Sequence, residues 1–390
     1  MYFFKTTTIG CVFIFMLLTF TPKVFATTIA TQRIYGNDRY LTSIKICESG
    51  WVNSDYAVIV NGENFPDALC SAPLAKLYDA PILLSRQASL NDAVASELGR
   101  LTVKQVFIIG GQGAISTNVE NQLKAMNINV TRIAGVDRFE TSIGVANKMA
   151  EKKGEASSIF LVNGEDGNFA DAISISTIAA SKAIPIILST KDVIPDCVKT
   201  YLAKLSITKS YLLGGLGVLS ANIQSQVSAP ERIAGNDRFL TNLAVIKRFS
   251  ADYKYDSVFI ASGLNFPDAL SSSALGARTA SPVILVDTII LSETSIYINS
   301  KVNDNSKIIV IGGPAVVSIS SYQSLINKYK IVLDAGHGGS DTGAIGTVLK
   351  LKEKNINLAV ALKVGAILKL MQYKLRTLVQ LMKLEVCRQG

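Results

Sequence analysis

From Ser158 to Val162 the chain runs Ser-Ile-Phe-Leu-Val with no polar alternation, and from Phe169 to Ala183 its apolar residues return at helical spacing. The first pattern is that of a strand buried on both faces, the second that of a helix. Pro185 to Leu188 is another short apolar run. Pro195 to Leu205 follows as a helix with proline in its first turn, where the missing N–H is no loss. Ser210 to Leu213, a helix from Ala221 and a last strand containing Ile233 complete the series. Strands alternating with helices predict an α/β fold with a parallel sheet covered on both faces.

The same grammar is written three times. Arg33-Ile-Tyr-Gly-Asn-Asp-Arg-Tyr returns at Arg132 and at Arg232, after 99 and 100 residues. Asn64-Phe65-Pro66-Asp67-Ala68-Leu69 matches Asn168 to Ile173 and Asn265 to Leu270, and Pro81 to Ser85 matches Pro185 to Ser189 and Pro282 to Val286. A Gly-Gly turn closes each set, at Gly110-Gly111, Gly214-Gly215 and Gly312-Gly313. The copies are bounded at 31–130, 131–230 and 231–329, and a different segment follows over 330–390.

Residues 1–26 read as a secretory signal peptide: Lys5, an uncharged core from Ile9 to Phe20, then Val24-Phe25-Ala26 as the cleavage site. The core falls short of the roughly 20 apolar residues a membrane span needs, so a secreted chain with no membrane attachment after cleavage is expected. The net charge of +9 does not belong to the repeats. Two lysines precede residue 27, and residues 331–390 carry nine Lys/Arg against four Asp/Glu, which leaves only +2 between. With no Arg-aromatic stripe and an exported chain, nucleic acid is not an expected partner. Cys47, Cys70, Cys197 and Cys387 show no regular spacing. Buried free thiols are expected, with a Cys47–Cys70 disulfide as the alternative.

The Gly-Gly turns lead from strand ends into helices with Ser116, Ser220 and Ser318 at their starts, where free N–H groups can receive an anion or the glycines can simply supply positive φ. Asp38, Asp137 and Asp237 read as N-caps. Arg39, Arg138 and Arg238 follow in the first turn, where a cation opposes the helix dipole, yet all three copies keep them. Pairing to Asp67, Asp171 and Asp268 is one explanation, and contact with an anionic ligand is the other.

The R-I-[AY]-G-x-D-R-[FY] segment, followed in order by N-F-[PA]-D-A-[LI], P-[IV]-[IL]-L and I-G-G or its equivalent, resembles the type 2 cell-wall-binding repeats of Gram-positive surface proteins. That resemblance implies three Rossmann- or Toprim-like parallel-sheet units packed about a pseudo-threefold axis, attached non-covalently to an anionic polymer of the wall. It also associates the triplets Ile82-Leu83-Leu84, Ile186-Ile187-Leu188 and Val283-Ile284-Leu285 with polymer attachment, although as strands they read as core.

After Lys330 the pattern changes. Ile331-Val332-Leu333 reads as a strand, and Asp334-Ala-Gly-His-Gly-Gly339 is a glycine-rich turn holding the chain's one histidine. Glu353 opens an amphipathic helix running to about Leu370. A histidine at a strand end facing a carboxylate on the next helix has metal-ligand logic. D-A-G-H-G-G and E-K-x-x-N-L resemble the type-3 N-acetylmuramoyl-L-alanine amidases, zinc hydrolases of peptidoglycan. The resemblance makes His337 and Glu353 two zinc ligands. No histidine follows for the third, and no glutamate is placed as the general base. The segment therefore reads as an incomplete α/β amidase fragment that does not hold zinc stably, with an aberrant, out-of-frame tail from about Met371. Two functions stand: a secreted wall-binding protein with an inactive amidase segment, or a zinc-dependent amidase that cleaves the muramoyl-peptide bond.

Overall fold

The computed structural model describes residues 24–331, 335, 337, 340–346, 351–370 and 374–375. Most of the expected signal peptide, up to residue 23, most of the glycine-rich turn and the tail beyond 375 lie outside the described residues.

The chain enters through β1 (Val24–Thr28) and β2 (Ala30–Ile34). Three four-stranded sheets follow, each parallel throughout. The first holds β3 (Tyr56–Asn61), β4 (Ile82–Ser85), β5 (Gln105–Ile109) and β6 (Asn129–Ile133) in the order β4-β3-β5-β6. The second holds β7 (Ser158–Asn163), β8 (Ile186–Ser189), β9 (Lys209–Leu213) and β10 (Pro230–Ile233) in the order β8-β7-β9-β10. The third has three strands of its own, β11 (Ser257–Ser262), β12 (Val283–Val286) and β13 (Lys307–Ile311), and takes β2 as its fourth. Each copy thus gives its opening strand to the sheet of the copy before it. The first copy gives its strand to the third, with Ile34 beside Ile311, and the ring closes.

The central strands are apolar on both faces because both faces are covered: Val58, Ile59, Phe160, Leu161, Phe259 and Ile260 are wholly buried. On the axis the helices Ser71–Leu77, Ala170–Lys182 and Pro267–Arg278 pack on one another. The helix expected from Phe169 is buried all round from Ala170 to Ala180 rather than on one face. Small residues such as Ala72, Ala179 and Ala274 let the three backbones approach, and the hydroxyls of Ser71, Ser176 and Ser272 bond back to carbonyls of their own chain segments. Cys47 and Cys70 are separate buried thiols with no disulfide between them.

The segment outside this ring forms its own unit. There β1 pairs antiparallel with β14 (Asn327–Ile331), which pairs in parallel with β15 (Lys374–Leu375), and the helix Glu353–Leu370 follows as expected. Ile356, Val360, Leu362 and Ile367 on that helix remain exposed.

Candidate functional site

Three junctions join the sheets, and each is built from the repeated peptide. Asp38, Asp137 and Asp237 cap their helices, accepting from the backbone N–H of Leu41, Glu140 and Leu240 at 2.7–2.8 Å. The arginine five residues before each cap staples the Gly-Gly turn of the adjoining strand. Arg33 Nη1 donates to the Gly312 carbonyl at 2.6 Å, Arg132 to Gly110 at 2.9 Å and Arg232 to Gly214 at 2.7 Å.

The arginine after each cap reaches onward to the next sheet. Arg39 donates to the Gly62 carbonyl, Arg138 to Gly164 at 2.7 Å and Arg238 to Gly263 at 3.0 Å. Arg138 also pairs with the exposed Asp166 at 2.7 Å. Behind them stand the three repeated carboxylates. Burial pushes Asp171 and Asp268 up to about 6, opposed by the charges of Arg238 and Arg39 respectively. Asp67 is raised by the same burial, against Thr141 and Arg138. Each aspartate feels the arginine of the following junction, so the charge pattern runs round the ring.

The Gly-Gly turns are not open anion cradles. Gly110, Gly214 and Gly312 have φ of 114°, 97° and 105°, and the space a Cβ would need is filled by a carboxylate. A Cβ at Gly110 would meet Asp67 Oδ2 at 2.8 Å, and one at Gly312 would meet Asp268 Oδ2 at 2.7 Å.

The loops that receive Arg39, Arg138 and Arg238 also carry Phe65, Phe169 and Phe266. Their rings meet in a triangle with centroid separations of 5.4, 5.3 and 6.5 Å. Arg238 lies 5.2 Å over the Phe169 ring. The candidate site is therefore a face at the carboxyl ends of β3, β7 and β11, with an aromatic centre and a guanidinium at each junction. Sequence reasoning quoted these phenylalanines only as part of a motif. The signal was an aromatic kept in all three copies beside an aspartate at the start of a helix.

The triplets lie elsewhere. Ile82-Leu83-Leu84, Ile186-Ile187-Leu188 and Val283-Ile284-Leu285 form the edge strands β4, β8 and β12, each residue at most 4% exposed. They dock the helix that carries the junction arginine. The Leu84 N–H donates to Ser43 Oγ at 3.2 Å, that of Leu188 to Ser142 Oγ at 3.1 Å and that of Leu285 to Asn242 Oδ1 at 3.1 Å.

In the C-terminal unit His337 and Glu353 do face each other, Nε2 to Oε2 at 3.5 Å. Asp341 binds Nδ1 at 2.8 Å, which orients the ring and, with Glu353, holds the imidazole above its ordinary pKa. Glu353 Oε2 also accepts from the Ala344 N–H at 2.9 Å. Among the described residues no group of three or more His, Cys, Asp or Glu is arranged to hold a metal ion.

The sequence profile of cell wall binding domain 2 matches residues 33–120, 132–224 and 232–321, one match for each copy. The chain belongs to this family. Its three cell wall binding repeats are followed by a match to N-acetylmuramoyl-L-alanine amidase over residues 331–380. The cell-wall-binding chain is 30% identical over 346 residues to the N-acetylmuramoyl-L-alanine amidase LytC of Bacillus subtilis, covering 88% of this chain and 68% of that one. Cwp6 from Clostridium difficile superposes with a TM-score of 0.71 at 31% identity, over 90% of this chain and 58% of that chain. Cwp8 from the same organism gives 0.67 at 25%, over 76% and 52%. The chain thus spans little more than half the length of those two solved chains. It is a cell wall or surface protein, and no described helix is long and apolar enough to cross a membrane.

Proposed function

We propose that the protein is exported through its N-terminal signal segment and attaches non-covalently to an anionic wall polymer through Arg39, Arg138 and Arg238. The observation that carries this is the placement of all three guanidiniums at equivalent junctions round the phenylalanine triangle. Each donates to a neutral backbone carbonyl, Arg138 pairing also with the exposed Asp166, and burial raises the pKa of the carboxylate behind each. The arginine charge is therefore only partly compensated from within. A repeating anionic chain lying across the face would meet bidentate donors at the rim and an apolar centre for its sugar faces. The triplets act through packing: they seat the helices that present the arginines.

The test is retention of the chain on purified walls across a salt series. Binding that weakens steadily as salt rises supports a charge-assisted contact. Retention indifferent to salt removes the role of the arginines.

A second reading, a zinc-dependent amidase, is favoured by the His337–Glu353 approach and by Asp341 behind the imidazole. Two protein ligands are one short of the catalytic sites that hold zinc with an open position. The His337–Glu353 pair by itself is read as too few ligands to hold the metal stably.

A further inference from the structure

The three junctions differ in what stands beside the arginine. Strand β4 runs directly into Arg86, where β8 runs into Thr190 and β12 into Asp287. Arg86 is exposed, and its guanidinium lies 5.3 Å from the centre of the Tyr40 ring. Arg39 packs beside the same ring around Gly62, where a Cβ would meet Tyr40 Cε1 at 2.9 Å and Arg39 Cδ at 3.4 Å. The first junction therefore brings two guanidiniums to one tyrosine. Both act on its hydroxyl, whose pKa burial and Glu63 push up to about 12 against the two arginine charges.

Arg39 is also the least engaged of the three junction arginines. It is exposed, whereas Arg138 and Arg238 are half-buried. Arg138 pairs with Asp166 and Arg238 lies on the Phe169 ring, while neither Arg39 nor Arg86 is in an ion pair among the described residues. Two carboxylates stand near them: Asp38 accepts from the Leu41 N–H as the helix cap, and Glu63 accepts from the Tyr40 hydroxyl at 2.9 Å. With these included, the capped turn and the two loops of the first junction carry no net charge. The second junction sets Arg138 and Lys191 against Asp137, Glu140, Glu165 and Asp166, and the third sets Arg238 against Asp237 and Asp287, so both are net negative. An anion approaching this face meets the least repulsion at the first junction.

Resting on the reading that the repeats hold an anionic wall polymer, we propose that Arg39 and Arg86 form the primary site of that contact and together receive one oxyanion group of the polymer, a phosphate or a carboxylate. Two guanidiniums supply paired N–H donors to its oxygens, and the Tyr40 ring supports both side chains. The second and third junctions follow the polymer with one arginine each and act mainly as clamps between sheets.

The test is sedimentation of the full chain over a series of purified-wall concentrations, with every variant first shown to be folded by its thermal midpoint. Arg86→Thr, which installs the second copy's residue at an exposed position, should raise the wall concentration needed for half retention by about tenfold, and Arg86→Lys by less. Arg39→Gln should match Arg86→Thr, and Arg138→Gln and Arg238→Gln should each cost less. Glycerol phosphate and glucuronate, added at matched ionic strength, distinguish the two anions: the one that releases the parent from the wall identifies the group. Arg86→Thr that pellets with the parent at every wall concentration overturns the proposal. If glutamine at 39, 138 and 238 together still abolishes pelleting, that result leaves the broader reading standing. An Arg138→Gln or Arg238→Gln loss equal to that of Arg39→Gln also overturns the proposal.

Discussion

Arg238 lies 5.2 Å over the ring of Phe169, and its Nη1 donates to the Gly263 carbonyl at 3.0 Å. One side chain thus touches the second sheet's loop with its flat face and the third sheet's loop with its edge. It can act as a clamp and still present charge, because neither partner is an ion. Replacing it with alanine removes a charge-assisted hydrogen bond and a cation–π contact, and should lower stability by about 1–2 kcal/mol. Lysine should recover little, lacking the planar face. Thermal unfolding of the two variants checks this, and a lysine variant as stable as the parent would contradict it.

Asp171 and Asp268 set an unusual pH dependence. Their folded pKa, about 6, lies above the ordinary carboxylate value of 3.8, so the folded state takes up protons that the unfolded state does not bind. Their penalty is fully present above pH 6 and relieved as the pH falls towards 4. Each is worth on the order of 3 kcal/mol across that window. The difference in stability between the parent and Asp171→Asn, in favour of the variant at pH 7, should therefore shrink on acidification. A difference that stays constant from pH 7 to pH 4 would count against the burial argument.

The alternation of buried strands and helices was legible in Ser158–Val162 and Phe169–Ala183 because it follows from periodicity alone. The threefold copying was legible for the same local reason. The closing of the ring was not: that β2 belongs beside β13 depends on contacts 279 residues apart, such as Arg33 to Gly312. The arginines at 39, 138 and 238 stood out in the sequence as kept in all three copies, but their carbonyl partners were invisible, since backbone groups leave no mark in a sequence. The Phe65–Phe169–Phe266 triangle was missed because each ring is unremarkable until three copies meet.

Ring closure makes its own prediction. Arg33→Ala removes the bond to the Gly312 carbonyl and the one to the Tyr322 hydroxyl at 3.2 Å. Amide exchange should quicken in β13 more than in β5 or β9, by an amount corresponding to about 1–2 kcal/mol. Equal acceleration in all three sheets would show that β2 is not a separate closing element.

The triplets should separate packing from contact. Leu188→Ala empties a fully buried site and should cost about 2–5 kcal/mol. Wall retention is then expected to fall only in step with unfolding, read from circular dichroism on the same samples. Retention lost from a fully folded Leu188→Ala chain would mean that the leucine touches polymer.

For the C-terminal segment, zinc analysis after dialysis should find less than one equivalent per chain, and His337→Ala should change that little. Stoichiometric zinc that disappears with His337 would establish a complete metal site and favour the hydrolase reading.

The most direct measurement compares the full chain with its Arg39→Gln, Arg138→Gln, Arg238→Gln triple variant in sedimentation with purified walls, after both are shown to be folded. The account predicts that the folded triple variant stays in the supernatant at a salt concentration where the parent pellets. A triple variant that pellets with the parent at every salt concentration would contradict it.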